Sequence, residues 1–143
     1  MRGSLRRAQR LELPGPVLVI DDCYNANPMS MRAALDDLAA SASGRRLAVL
    51  GDMLELGPEE GRFHAEIGAY AAQRGVDVLV TVGPLAARMG EAFEGELHPV
   101  ADAAGAAALA HELLRPGDTV LVKGSRGVGL EVVAQSLQAA ASG

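Results

Sequence analysis

The sequence lacks tryptophan and has only two tyrosines and two phenylalanines among its 143 residues, so aromatic rings cannot fill its core. Alanine, valine, leucine and isoleucine must do so, a mixture suited to small helices packed on a buried sheet. A single cysteine, Cys23, excludes an intramolecular disulfide and suits a reducing compartment. No apolar run approaches the ~18 residues that a membrane-spanning helix needs. Positive charge is also short: 13 Lys and Arg against 18 Asp and Glu leave a net charge of −5. That balance argues against a nucleic-acid binder, which must neutralise phosphates with a basic face. The cluster Arg2, Arg6, Arg7 and Arg10 reads as a solvated arm, and Met1-Arg2-Gly3-Ser4 reads as an appended leader that is set aside. Residues 1–14 are therefore expected to be a leading arm or linker, and residues 15–143 a single domain, large enough to bury about two thirds of its unfolded surface.

What is present is a repeat of short β-branched runs, each followed by a turn and an Ala-rich stretch with helical spacing, the pattern of βαβ units. The runs are Val17-Leu18-Val19-Ile20, Leu47-Ala48-Val49-Leu50, Val76 to Val82 and Val120-Leu121-Val122, with a weaker one near Leu97 to Val100. Their unbroken hydrophobicity predicts strands covered on both faces. Helices are predicted over 28–42, 58–74, 84–93, 102–115 and 126–140. Asn27-Pro28, Gly57-Pro58 and Gly83-Pro84 fit a cap followed by proline, Asp102 and Ser125 are further N-cap candidates, and Gly44, Gly75 and Pro116-Gly117 fit helix ends. The fold class is α/β: a three-layer α/β/α, Rossmann-like domain with a mostly parallel sheet.

In such a sheet ligands bind outside the carboxyl ends of the strands, and the polar segments of this sequence fall there. Asp21-Asp22-Cys23-Tyr24-Asn25-Ala26-Asn27 supplies carboxylates that can accept from hydroxyls and carboxamides that both donate and accept. The plainer alternative has Asn27 as a cap, Asp21 and Asp22 at a strand end, and Tyr24 in packing. Lys123-Gly124-Ser125-Arg126-Gly127 follows a strand and opens a helix, which suits an anion such as a carboxylate or phosphate; a glycine-eased turn with solvated cations is the alternative. No stretch reads as a Walker A loop or as G-x-G-x-x-G, so the domain lacks the parts that would cradle a triphosphate by itself. Asp52 and Glu55 suit either a metal or an acceptor amine, or else helix capping, and Gly83 follows the third strand. His64, between Glu60 and Glu66, has no second His or Cys at ligand spacing, so no metal role is expected of it. His98 and His111 carry no signal. Cys23 has no activating neighbour in sequence and is expected to pack, and Asp36-Asp37 reads as an exposed helix face.

Three stretches taken together resemble the C-terminal domain of the Mur ligases: Asp21 to Pro28, Val49 to Gly57 with His64 downstream, and Val122 to Arg126. Within that family their loops are similar to those of the branch that adds D-alanyl-D-alanine. The resemblance runs from Val17 to Leu137. It implies a Rossmann-like domain that closes as a lid over an ATP-dependent, peptide-bond-forming ligase of peptidoglycan precursor synthesis. That ligase activates the carboxylate of a UDP-N-acetylmuramoyl-tripeptide as an acyl phosphate, and the amine of D-alanyl-D-alanine attacks it. Carried over by position, the resemblance assigns Asp22, Tyr24, Asn25 and Asn27 to the nucleotide and Lys123, Ser125 and Arg126 to the acceptor, with Asp52, Glu55 and Gly83 as further candidates. No residue of this domain is assigned to catalysis or to a metal. The P-loop, the Mg2+ ligands and the tripeptide site are expected on other domains, so the chain alone is expected to be inactive. A cytoplasmic, monomeric protein with no nucleic-acid or membrane partner follows. The alternative from the residues alone is a stand-alone nucleotide- or anion-binding module.

Overall fold

A computed structural model describes residues 8–23 and 26–142. Tyr24, Asn25 and the arginines at 2, 6 and 7 lie outside the described residues. Six strands form one sheet in the order β1-β2-β6-β3-β4-β5: β1 (Gln9–Leu13), β2 (Val17–Asp21), β3 (Arg46–Gly51), β4 (Val78–Val82), β5 (Glu96–Val100) and β6 (Thr119–Lys123). β1 runs antiparallel to β2, and every other pairing is parallel. The last parallel strand, β6, is inserted between β2 and β3. The loops that follow β2, β3 and β6 are therefore neighbours at one edge of the sheet.

Helices α1 (Pro28–Ser41) and α2 (Glu60–Gln73) cover one face, and α3 (Ala103–Leu113) and α4 (Glu131–Ser142) cover the other. The alternation along β3 shows why the strands read as continuous apolar runs. Leu47 and Val49 join the core under α3 and α4, while Ala48 and Leu50 join the core under α1 and α2. The three-layer α/β/α reading from sequence matches this architecture.

Local chemistry sets the helix starts. Asn27 Oδ1 accepts the Ser30 N–H at 2.9 Å and Ser30 Oγ accepts the Asn27 N–H at 3.0 Å. This reciprocal box, with Pro28 at the first position, contributes about 1 kcal/mol to α1. Asp102 Oδ1 accepts the Gly105 N–H at 2.9 Å and starts α3 the same way.

Four expectations change. Gln9–Leu13, assigned to a leading arm, is the antiparallel edge strand β1; its alternating exposure marks an edge with only one face to bury. The helix expected over 84–93 is a 3₁₀ helix over Ala86–Ala92. It packs on α2 backbone-first, because Gly68 has no side chain: a Cβ there would stand 1.8 Å from the Met89 carbonyl oxygen. The helix expected from 126 begins at Glu131, because a 3₁₀ turn over Arg126–Val128 ends at Gly129 with φ of 76°. Ser125 makes no capping hydrogen bond; its hydroxyl is used elsewhere.

Candidate functional site

At the carboxyl edge, strand pairing places the end of β6 beside the ends of β2 and β3, with Asp21 opposite Val122 and Leu50 opposite Lys123. Lys123 is the only lysine of the chain. Its side chain is 2% exposed and its Nζ lies 3.1 Å from Asp22 Oδ1. A buried ammonium is costly unless paired, and its partner Asp22 stays 20% exposed. The Asp22 N–H also donates to the Val122 carbonyl at 2.9 Å. The two loops assigned from sequence to different ligands are thus joined by an ion pair and a backbone bond.

The segment after β3 is irregular and buried at Asp52 and Met53, so its backbone groups need partners from outside. Met53 N–H donates to His64 Nε2 at 2.9 Å, and Leu54 N–H donates to Ser125 Oγ at 2.9 Å. The Asp52 carbonyl accepts the Ser125 N–H at 3.1 Å. Asp52 Oδ1 accepts the Ala86 N–H at 2.7 Å, so this carboxylate does cap a helix, though one from a different loop. Gly83, with φ of 108°, makes room for it: a Cβ there would meet the Asp52 carboxylate at 2.6–2.7 Å.

Among the candidates, the structure brings together Asp22, Lys123, Ser125, Asp52 and Gly83. Asn27 stands at the rim with its side-chain oxygen committed to the cap. Glu55, exposed with φ of 64°, and Arg126, also exposed, form the outer margin. Tyr24 and Asn25 lie outside the described residues. Burial raises the Asp21 carboxyl above its ordinary range, opposed by a hydrogen bond with Cys23. Burial, with the Asp21 hydrogen bond, likewise pushes the Cys23 thiol well up, so Cys23 is held as a neutral packing group. Among the described residues no three His, Cys, Asp or Glu come together as a metal site. Of the carboxylates here, Asp22 is paired with Lys123 and Asp52 Oδ1 accepts the Ala86 N–H.

The family model for the Mur ligase, glutamate ligase domain, matches residues 6–126. The chain belongs to the Mur ligase C-terminal family. Among curated relatives of this Mur ligase domain, the UDP-N-acetylmuramoyl-tripeptide–D-alanyl-D-alanine ligase of Mycobacterium leprae is 43% identical over 94% of the chain. The chain spans 30% of that relative's length. Among solved structures, MurF from Acinetobacter baumannii matches with a TM-score of 0.81 at 32% identity, over 94% of this chain and 30% of that one. MurF ligase from Thermotoga maritima, solved in complex with ADP, matches with a TM-score of 0.78 at 28% identity, over 92% of this chain and 30% of that one.

His64, which sequence placed downstream of the second family stretch and weighed as a metal ligand, instead accepts a backbone hydrogen bond from the Met53 N–H. The signal for its burial was there: His64, Ile67, Gly68 and Ala71 share the buried face of α2 at helical spacing. A fully buried histidine on such a face needs two hydrogen-bond partners, and here it has both.

Proposed function

We propose that the chain is the C-terminal lid of an ATP-dependent ligase that joins D-alanyl-D-alanine to a UDP-N-acetylmuramoyl-tripeptide in peptidoglycan precursor synthesis. The observation that carries this reading is the Asp22–Lys123 pair, with Ser125 beside it, at the edge where the loops after β2, β3 and β6 meet. The names of the relatives supply the reaction class.

In this reading the β2 loop, with Asp22, Tyr24, Asn25 and Asn27, faces the ribose and base of the nucleotide. Lys123, Ser125 and Arg126 hold the carboxylate of the acceptor dipeptide and orient its amine towards the acyl phosphate. A cation and a hydroxyl donor in a dry site bind a carboxylate far more strongly than they would in water. Closure excludes water from the hydrolysable acyl phosphate. The three most exposed large apolar side chains among the described residues fit such a docking edge. Met29 opens α1, Leu54 follows β3 and Val132 opens α4, so all three flank the site. The magnesium that accompanies ATP is proposed to be held by the other domains, together with the nucleotide phosphates. A cytoplasmic location and a monomeric state complete the proposal.

The test is kinetic. In the full-length protein, peptide-bond formation between the UDP-linked tripeptide and D-alanyl-D-alanine should require ATP, and Lys123→Ala should raise the dipeptide KM or lower turnover. Absence of ligation by the full-length protein, or unchanged kinetics in the variant, would overturn the reading or remove Lys123 from the site.

A further inference from the structure

We infer that His64 is a positioning residue for the acceptor half of the site, acting on the ligand through Ser125 without touching it. The inference rests on the proposal that Ser125 faces the acceptor. His64 is 0% exposed, on the buried face of α2 that it shares with Ile67, Gly68 and Ala71. Its two nitrogens are both used. Nδ1 lies 2.7 Å from the Glu60 carbonyl oxygen, which can only accept, so Nδ1 carries the hydrogen. Nε2 is then the bare acceptor that receives the Met53 N–H at 2.9 Å.

That bond fixes one residue of an irregular segment whose next residue is the one that matters. Leu54 N–H, donated to Ser125 Oγ at 2.9 Å, occupies a lone pair of the hydroxyl. The hydroxyl keeps its hydrogen, for which no acceptor stands among the described residues, and its second lone pair; towards a carboxylate, which can only accept, it acts as the donor. Ser125 is 7% exposed, so a carboxylate that reached its hydroxyl would take the hydrogen as a charge-assisted bond sheltered from water. The imidazole on α2 thereby sets the donor direction of a hydroxyl on the β6 loop. The linkage runs through backbone, so it depends on geometry rather than on charge.

The experiment is a double-mutant cycle in the full-length protein with His64→Phe and Ser125→Ala, reading KM for D-alanyl-D-alanine and for ATP separately. His64→Phe keeps the bulk and removes the acceptor. It should raise the dipeptide KM about tenfold, the scale of one lost buried hydrogen bond, and leave the ATP KM within about twofold. Ser125→Ala in that background should add almost nothing, because both changes remove the same donor. His64→Gln, whose amide oxygen can accept the Met53 N–H, should recover most of the loss. Additive effects, or an equal change in both KM values, would overturn the inference. Should His64→Phe fail to fold, two readouts decide instead. One is the kinetics of His64→Gln, expected close to the parent. The other is 15N NMR of the unmodified chain, which should show His64 protonated at Nδ1 and bare at Nε2; the opposite tautomer would overturn the inference. A parent protein that performs no ligation would count against the proposed function instead, and the tautomer and the Leu54 amide shift in His64→Gln would still report on the His64 linkage.

Discussion

Among the described residues, each end of the sheet carries an ion pair with one partner almost fully buried, and the two are built differently. At the amino edge, Arg45 donates from Nε to Asp118 Oδ1 at 3.1 Å and from Nη2 to Oδ2 at 2.8 Å. The Arg115 N–H adds a third donor at 2.8 Å, and Arg45 Nη2 also reaches the Leu113 carbonyl at 2.6 Å. The guanidinium fork and the carboxylate satisfy each other, and the Asp118 hydrogen bond holds the Arg45 pKa above its usual value. At the carboxyl edge a compact ammonium meets one oxygen of a carboxylate that stays partly exposed. The first arrangement is closed and ties the start of β6 to the start of β3; the second leaves acceptor capacity on Asp22 and faces the loops. In the proposed reading, burying charge serves stability at one end of the sheet and ligand recognition at the other.

The comparison breaks most visibly if the two pairs are exchanged in effect. Asp118→Ala should cost about 3 kcal/mol in chemical denaturation, since it leaves Arg45 and the Arg115 N–H without their partner, while ligand affinity stays unchanged. Lys123→Ala should do the reverse in the full-length protein. There kcat/KM for the dipeptide should fall by about two orders of magnitude, with a much smaller loss of stability because Asp22 can turn to water. Equal stability losses from the two variants would erase the distinction. Ser125→Ala sharpens it further, with an expected loss of about tenfold in dipeptide kcat/KM.

A smaller effect concerns Asp21. Burial raises its pKa in the fold, so the charged form is disfavoured there and the stability linked to the neutral form is lost as pH rises through the raised value. Asp21→Asn should therefore be more stable than the parent at pH 7, with the difference vanishing below about pH 4, where the unfolded carboxyl is also protonated. Denaturation midpoints at the two pH values check this, and a gain that persists at low pH would contradict it. Least of all, the Cys23 thiol, held neutral by burial, should react with iodoacetamide at pH 8 several times more slowly than a free thiol such as glutathione.

Much of this molecule was legible in the sequence because its strands are buried on both faces. Val17 to Ile20, Leu47 to Leu50 and Val120 to Val122 could hardly be anything else, and Asn27 and Asp102 announced their helices. Gln9–Leu13 was missed for the opposite reason: an edge strand alternates, carries charge, and resembles a linker when read alone. Ser125 was misread as a cap because its true partner, Leu54 N–H, lies 71 residues away in sequence. The ion pair between Asp22 and Lys123 spans a longer gap still. Sequence placed both residues at strand ends, but it could not say that β6 inserts beside β2 and brings them together. The burial of His64 is readable from the helical spacing of α2, but its partner is not, because Met53 sits on an irregular segment with no periodicity to read.

The most direct test of the central claim is an amide-resolved NMR titration of this chain with ADP and, separately, with D-alanyl-D-alanine, repeated within the full-length protein. The expected result is perturbation of residues 22–28 by the nucleotide and 123–127 by the dipeptide, with Arg45, Arg115 and Asp118 unmoved. Perturbation centred on the amino edge, or none at either loop in the chain and in the full-length protein alike, would contradict it.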